Sequence, residues 1–143
     1  MNKITIAAVA ALALGGAAYL YFGQPQSEPV AAPPGEGEPM VAVTLPETLS
    51  QDATIGKRAF DATCAACHGA NAAGKLGSGP PLVHKIYEPS HHGDMAFVLA
   101  AQQGVRSHHW KFGDMPPQPG LTPADVLMIA GYVRELQRAN GIN

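Results

Sequence analysis

The sequence predicts a small, mostly α-helical domain carried behind an apolar N-terminal segment and a proline-rich linker. Three observations carry this all-α assignment. Val126, Ile129, Ala130, Val133 and Leu136 recur at helical spacing, and a shorter apolar stretch from Asp94 to Gln103 stops at Gly104, a common C-terminal signal. Ile4 to Phe22 carries no charge. Residues 24–52 hold six prolines and five acids but no Lys or Arg. What remains of the 143 residues has the size of one small domain.

Three regions follow: 1–23, 24–53 and 54–143. The first begins with Lys3 and continues apolar for close to the ~20 residues a membrane-spanning helix requires. Lys3 suits a cytoplasmic N-terminus, and Tyr19, Tyr21 and Phe22 suit an interfacial aromatic belt. A cleaved signal peptide is the alternative, with Gly16-Ala17-Ala18 as a weak cleavage site. Both readings export the rest of the chain, and the longer apolar run favours the anchor. The second region reads as a disordered or polyproline-like tether that buries too little apolar surface to offset its ordering entropy. Extended, it would reach ~90 Å; as a flexible coil, ~30 Å.

The chemistry sits in the third region. Cys64-Ala65-Ala66-Cys67-His68 is the C-x-x-C-H spelling of covalent haem attachment, and it uses both cysteines of the chain. On a helix, Cys64, Cys67 and His68 project from one face, so two thiols can add to two vinyl groups while the imidazole faces the iron. A zinc site would need a second Cys pair, and a thioredoxin-like dithiol would need a βαβ context; the sequence has neither. A covalent porphyrin also supplies the apolar core that so few residues cannot. The formal charge of −2 is unevenly spread, with eight bases against six acids in residues 53–143. No basic run or phosphate-cradling loop points to nucleic acid or nucleotide.

Around the motif the domain resembles the class I c-type cytochromes, over about residues 54–140. A helix from Ile55 to Thr63 runs into Cys64, and Gly56 and Phe60 followed by CAACHG match that family's N-terminal helix. The resemblance implies that Gly56 allows close approach of the C-terminal helix, where Tyr132 would meet it. It implies a second contact at Gly79-Pro80-Pro81-Leu82, where the Pro80 carbonyl accepts the hydrogen bond of the His68 ring and Leu82 packs on the haem. The Gly113-Asp114-Met115-Pro116-Pro117 segment resembles the distal ligand loop, making Met115 the sixth ligand with Met95 or a histidine as competitors. Arg106 and Trp110 are candidate donors to the haem propionates. The last helix has its own start signals, Thr122 as cap, Pro123 at the first position and Asp125 three beyond the cap. Arg134 and Arg138 suit the dipole at its end. Gly131 has no evident role in the sequence.

With both axial positions filled, the resemblance implies an electron carrier rather than an enzyme. Haem c attachment outside the cytoplasm and the apolar leader place the domain in the periplasm, anchored in the inner membrane. A quinol-oxidising complex as donor and a terminal oxidase or other reductase as acceptor are the expected partners. Two other classes compete. His84, His91, His92, His108 and His109 suit an additional copper or zinc site as well as a plain polar surface. A weak sixth ligand would make a peroxidase-like enzyme.

Overall fold

The computed structural model describes residues 19, 20, 23 and 34–143. The chain divides into two compact units, 1–33 and 34–143, and the second is the helical domain. The anchor or signal expected over 1–23, and the start of the linker, fall almost wholly outside the described residues. Among the described residues, no helix is long and apolar enough to cross a membrane.

Four α-helices build the domain: α1, Gln51–Thr63; α2, Ala65–His68; α3, Asp94–Gln103; and α4, Pro123–Ala139. Single 3₁₀ turns at Ala70–Ala72 and Lys85–Tyr87 join α2 to α3. The first helix starts at Gln51, four residues before the expected Ile55, because the Ser50 hydroxyl accepts from Ala53 N at 3.1 Å and caps it. The last helix carries the full capping box, with Thr122 and Asp125 each bonded to the other's backbone and proline in the first turn.

α1 crosses α4, and their shared face is the main core. Phe60 and Tyr132 meet edge to face with centroids 5.6 Å apart, joined by Ala53, Ile129, Val133 and Leu136. α3 adds a smaller cluster, Val98 and Ala101 against Val126. At 6% exposure, Arg134 is buried. It donates to Asp94 Oδ1 at 2.8 Å, to the Tyr87 carbonyl at 2.7 Å, to Gln137 Oε1 at 2.6 Å and to the His92 carbonyl, and its guanidinium lies over Phe97. A buried charge requires such a full set of partners. Here the set ties α4 to α3 and to the loop before it. Gln137 adds bonds to the Leu82 and Tyr87 carbonyls at 2.8 and 2.9 Å.

The second half of the expected tether, residues 34–50, is not free. Met40 N and Val41 N both donate to the Ala73 carbonyl at 3.1 Å, Gly37 N to Leu76 O at 2.9 Å, and Leu76 N to Glu38 O at 3.0 Å. Thr44 and Asn140 exchange two hydrogen bonds, each 2.9 Å, while Val43 and Leu49 pack against the core. Average composition misses this because two apolar side chains and docked backbone groups suffice to hold an extended strap. Prolines lower the entropy that docking removes.

Candidate haem-binding site

One cavity of about 450 Å³ opens between α2, the 78–82 loop, α3, the 104–116 loop and the start of α4. It gathers Cys64, Cys67, His68, Pro80, Leu82, Trp110 and Met115, seven of the eight residues the sequence singles out. The eighth, Arg106, is exposed and does not line it. Its carbonyl accepts from His108 Nδ1 at 2.9 Å. Met95 is also off the wall, 59% exposed on α3, so Met115 alone among the described methionines faces the cavity.

The attachment residues sit where α1 hands over to α2, the Cys64 N–H still bonding Phe60 O at 2.8 Å. His68 closes α2, and its Nδ1 donates to the Pro80 carbonyl at 2.9 Å. That bond leaves Nε2 with the lone pair and holds the ring in a ligating tautomer. Burial pushes the imidazole pKa down, with the Pro80 bond opposing it, and the neutral ring is the form that can ligate. Burial, reinforced by Cys67, raises the Cys64 thiol to about 11, so without haem it stays protonated at neutral pH. Gly79 makes room for this turn: a Cβ there would lie 2.6 Å from the Cys67 carbonyl oxygen.

Met115 is placed by backbone rather than by its prolines alone. Val105 and Met115 exchange both N–H···O bonds at 2.9 Å, closing the 105–115 segment into a loop. Ser107 cinches that loop from within, its N–H bonding Asp114 Oδ1 at 2.8 Å and its hydroxyl the Trp110 carbonyl. Gly104, read from sequence only as a helix stop, adopts φ +75°, and a Cβ on it would meet Met115 O at 2.5 Å. A glycine at a helix end also permits close backbone approach.

Trp110 Nε1 is buried without a hydrogen-bond partner, an orphan donor that an acidic ligand in the cavity would satisfy. Tyr87, which the sequence reading passed over, shares this wall; burial raises its phenol, opposed by the nearby indole, though the two are not hydrogen-bonded. Leu82, Phe97, Val126 and Ile129 give the apolar lining a porphyrin face needs. A free imidazole nitrogen, a thioether, two adjacent thiols and an orphan donor in one apolar cavity fit haem c.

The fold and this donor set define a small helical haem-binding domain. Residues 53–137 match the family description "Cytochrome c", and the chain belongs to the cytochrome c family, as a class I c-type cytochrome. Family membership implies covalent haem c and a haem electron-transfer role. Among solved structures, the chain is similar to cytochrome cL from the marine methylotrophic bacterium Methylophaga aminisulfidivorans, at 32% identity and a TM-score of 0.46. The match covers 59% of this chain and 53% of that one, so the chain spans about half the length of that relative.

Proposed function

We propose that this protein is a membrane-tethered periplasmic carrier that passes single electrons from a quinol-oxidising complex to a terminal oxidase or another reductase. The observation that carries the reading is the presence of two suitable axial donors, His68 and Met115, on the wall of one cavity. Bound haem would supply one-electron Fe(II)/Fe(III) chemistry. His68 would offer Nε2, held by Pro80, and Met115 a neutral thioether that favours the reduced iron. Cys64 and Cys67 would hold the group through two thioethers, and Leu82, Phe97 and Ile129 would exclude water from its faces. Were His68 and Met115 both to hold the group, no position would be left open to a substrate, which favours a carrier over a peroxidase. The uncharged run from Ile4 to Phe22 supports tethering, which would raise the effective concentration near a membrane partner towards ~mM.

The test is a redox titration of purified holoprotein with spectra of both states, alongside fractionation of the native host. A sulfur-to-iron charge-transfer band in the oxidised state, reversible one-electron cycling and haem retained on salt-washed membranes are expected. Rapid peroxide turnover by the unmodified holoprotein would overturn the carrier reading. Recovery of a mature N-terminus at Tyr19 would overturn the tether.

A further inference from the structure

Two His-His pairs lie on different loops, 91–92 before α3 and 108–109 in the Met115 loop, yet the fold brings them together. The His91 and His92 ring centroids are 4.5 Å apart, His91 and His109 5.7 Å, and His92 and His109 5.4 Å. One nitrogen from each of the three lies within 4.8 Å of one nitrogen from each of the others. Nitrogens sharing one tetrahedral ion stand about 3.3 Å apart for metal–nitrogen bonds of ~2.05 Å, so small side-chain rotations would complete the set.

From this convergence we propose that His91, His92 and His109 form a binding site for one late first-row divalent ion, Cu²⁺ in preference to Zn²⁺. The site goes beyond electron carriage and does not depend on the carrier reading. Imidazole suits both ions, and Cu²⁺ leads the affinity order at nitrogen donors. The ligands are held in place beforehand. His92 Nδ1 donates to the Ile86 carbonyl at 2.7 Å, which leaves its Nε2 free to ligate, the arrangement usual for metal-binding histidines. The 91–92 loop is pinned from below, because the His92 carbonyl accepts from buried Arg134 and both loop N–H groups bond Glu88 O at 3.0 and 2.8 Å. The 108–109 loop is pinned by Ser107 and Asp114. His108, its own Nδ1 on the Arg106 carbonyl and its ring 4.2 Å from that of His109, stands beside the set as a possible fourth donor. Otherwise water fills that place, since His91 and His109 are exposed. His84 is not part of the group. Its ring stands edge-on to Trp110, and its Nδ1 accepts from Ile86 N at 3.2 Å.

The competing role for these imidazoles is contact with the haem edge, because His92, His108 and His109 also line the cavity. Chelator-stripped holoprotein, in which the haem is present, therefore decides between them. Titration with Cu²⁺, followed by electron paramagnetic resonance and chelator competition, should show one ion per chain with nitrogen hyperfine structure, and Zn²⁺ should bind the same place more weakly. His91→Ala and His109→Ala should each weaken Cu²⁺ binding by ~10-fold or more, with haem bands unchanged as evidence of folding, while His84→Ala should bind as the parent does. Failure of the parent holoprotein to bind either ion would overturn the proposal. So would a His91→Ala/His109→Ala double variant of parental affinity, since the copper would then sit elsewhere.

Discussion

Gly56 of α1 lies directly on the backbone of Met128 in α4: a Cβ built on Gly56 would overlap the Met128 carbonyl and stand 3.0 Å from Ile129 N. Backbone cannot rotate aside as a side chain can, so the crossing admits only glycine. Gly56→Val should cost about 1–3 kcal/mol through overpacking, or more if the helices separate. The thioethers keep haem attached. The holoprotein should therefore unfold at lower temperature and lose its sulfur-to-iron band earlier in denaturant. A variant as stable as the parent would show that the helices do not cross at this glycine.

Met115 and Met95 separate the two candidate sixth ligands. Met115→Ala should abolish the sulfur-to-iron band, lower the midpoint potential and let added cyanide bind quickly. Met95→Ala, on an exposed face of α3, should change none of the three. The opposite pattern would reassign the ligand.

What was legible in the sequence is what depends on neighbours in the chain. Cys64 to His68 spells its own chemistry, and Thr122, Pro123 and Asp125 announce a helix start within four residues. The Gly56 contact came from family resemblance, since spacing alone places Gly56 and Phe60 on one face without saying what covers them. The partners of buried Arg134 were not legible, because a helix-end arginine looks the same whether it meets water or Tyr87, His92 and Asp94, some 40 positions away in the chain. The strap failed for a similar reason. Its partners, Ala73, Leu76 and Asn140, are invisible in its own composition. Between the two candidate propionate donors, residue chemistry alone does not show that Trp110 lines the cavity and Arg106 does not.

Arg134 gives a prediction of its own. Arg134→Ala removes the Arg134 donor from the His92 carbonyl, leaves the Tyr87 carbonyl with Gln137 Nε2 alone, and frees Gln137 Oε1. Hydrogen bonds to charged groups are worth about 1.5–3 kcal/mol, and stability should fall by about that much. Amide exchange should rise first in the 87–94 segment, while the Cys64–His68 region stays protected. Uniform loss of protection across the domain would contradict a local anchoring role.

The α4 cap should show in the pH dependence. Asp125 accepts from the Thr122 hydroxyl at 2.6 Å and from Thr122 N at 2.9 Å, and these bonds hold its carboxyl below the ordinary carboxylate range. A folded pKa lower than the unfolded one means that the stabilisation is present above the unfolded value, near 4. It is lost as pH falls through the folded value. Asp125→Asn should therefore melt below the parent at neutral pH, and the two curves should converge under acid. Parallel curves across the whole range would remove Asp125 as the titrating group.

Gly104 and Gly131 make a matched pair of glycines whose replacements should act in opposite directions. Gly131 lies inside α4 with nothing within 4 Å of where a Cβ would stand, so Gly131→Ala should stabilise the domain by about 0.5–1 kcal/mol. It should leave the haem spectrum alone. Gly104 differs in two ways: its φ of +75° is one L-residues adopt at a cost, and a Cβ there would press on Met115 O at 2.5 Å and on Pro117 Cδ at 3.1 Å. The paired Val105–Met115 backbone bonds transmit that pressure directly to the residue proposed as ligand. Gly104→Ala should therefore weaken the sulfur-to-iron band and speed cyanide binding beyond what its loss of overall stability would cause. The comparison that isolates this is Gly56→Val, measured at matched distance from each variant's own melting midpoint. If the two destabilised variants bind cyanide equally fast under that matching, Gly104 acts on stability alone and not on the placement of Met115.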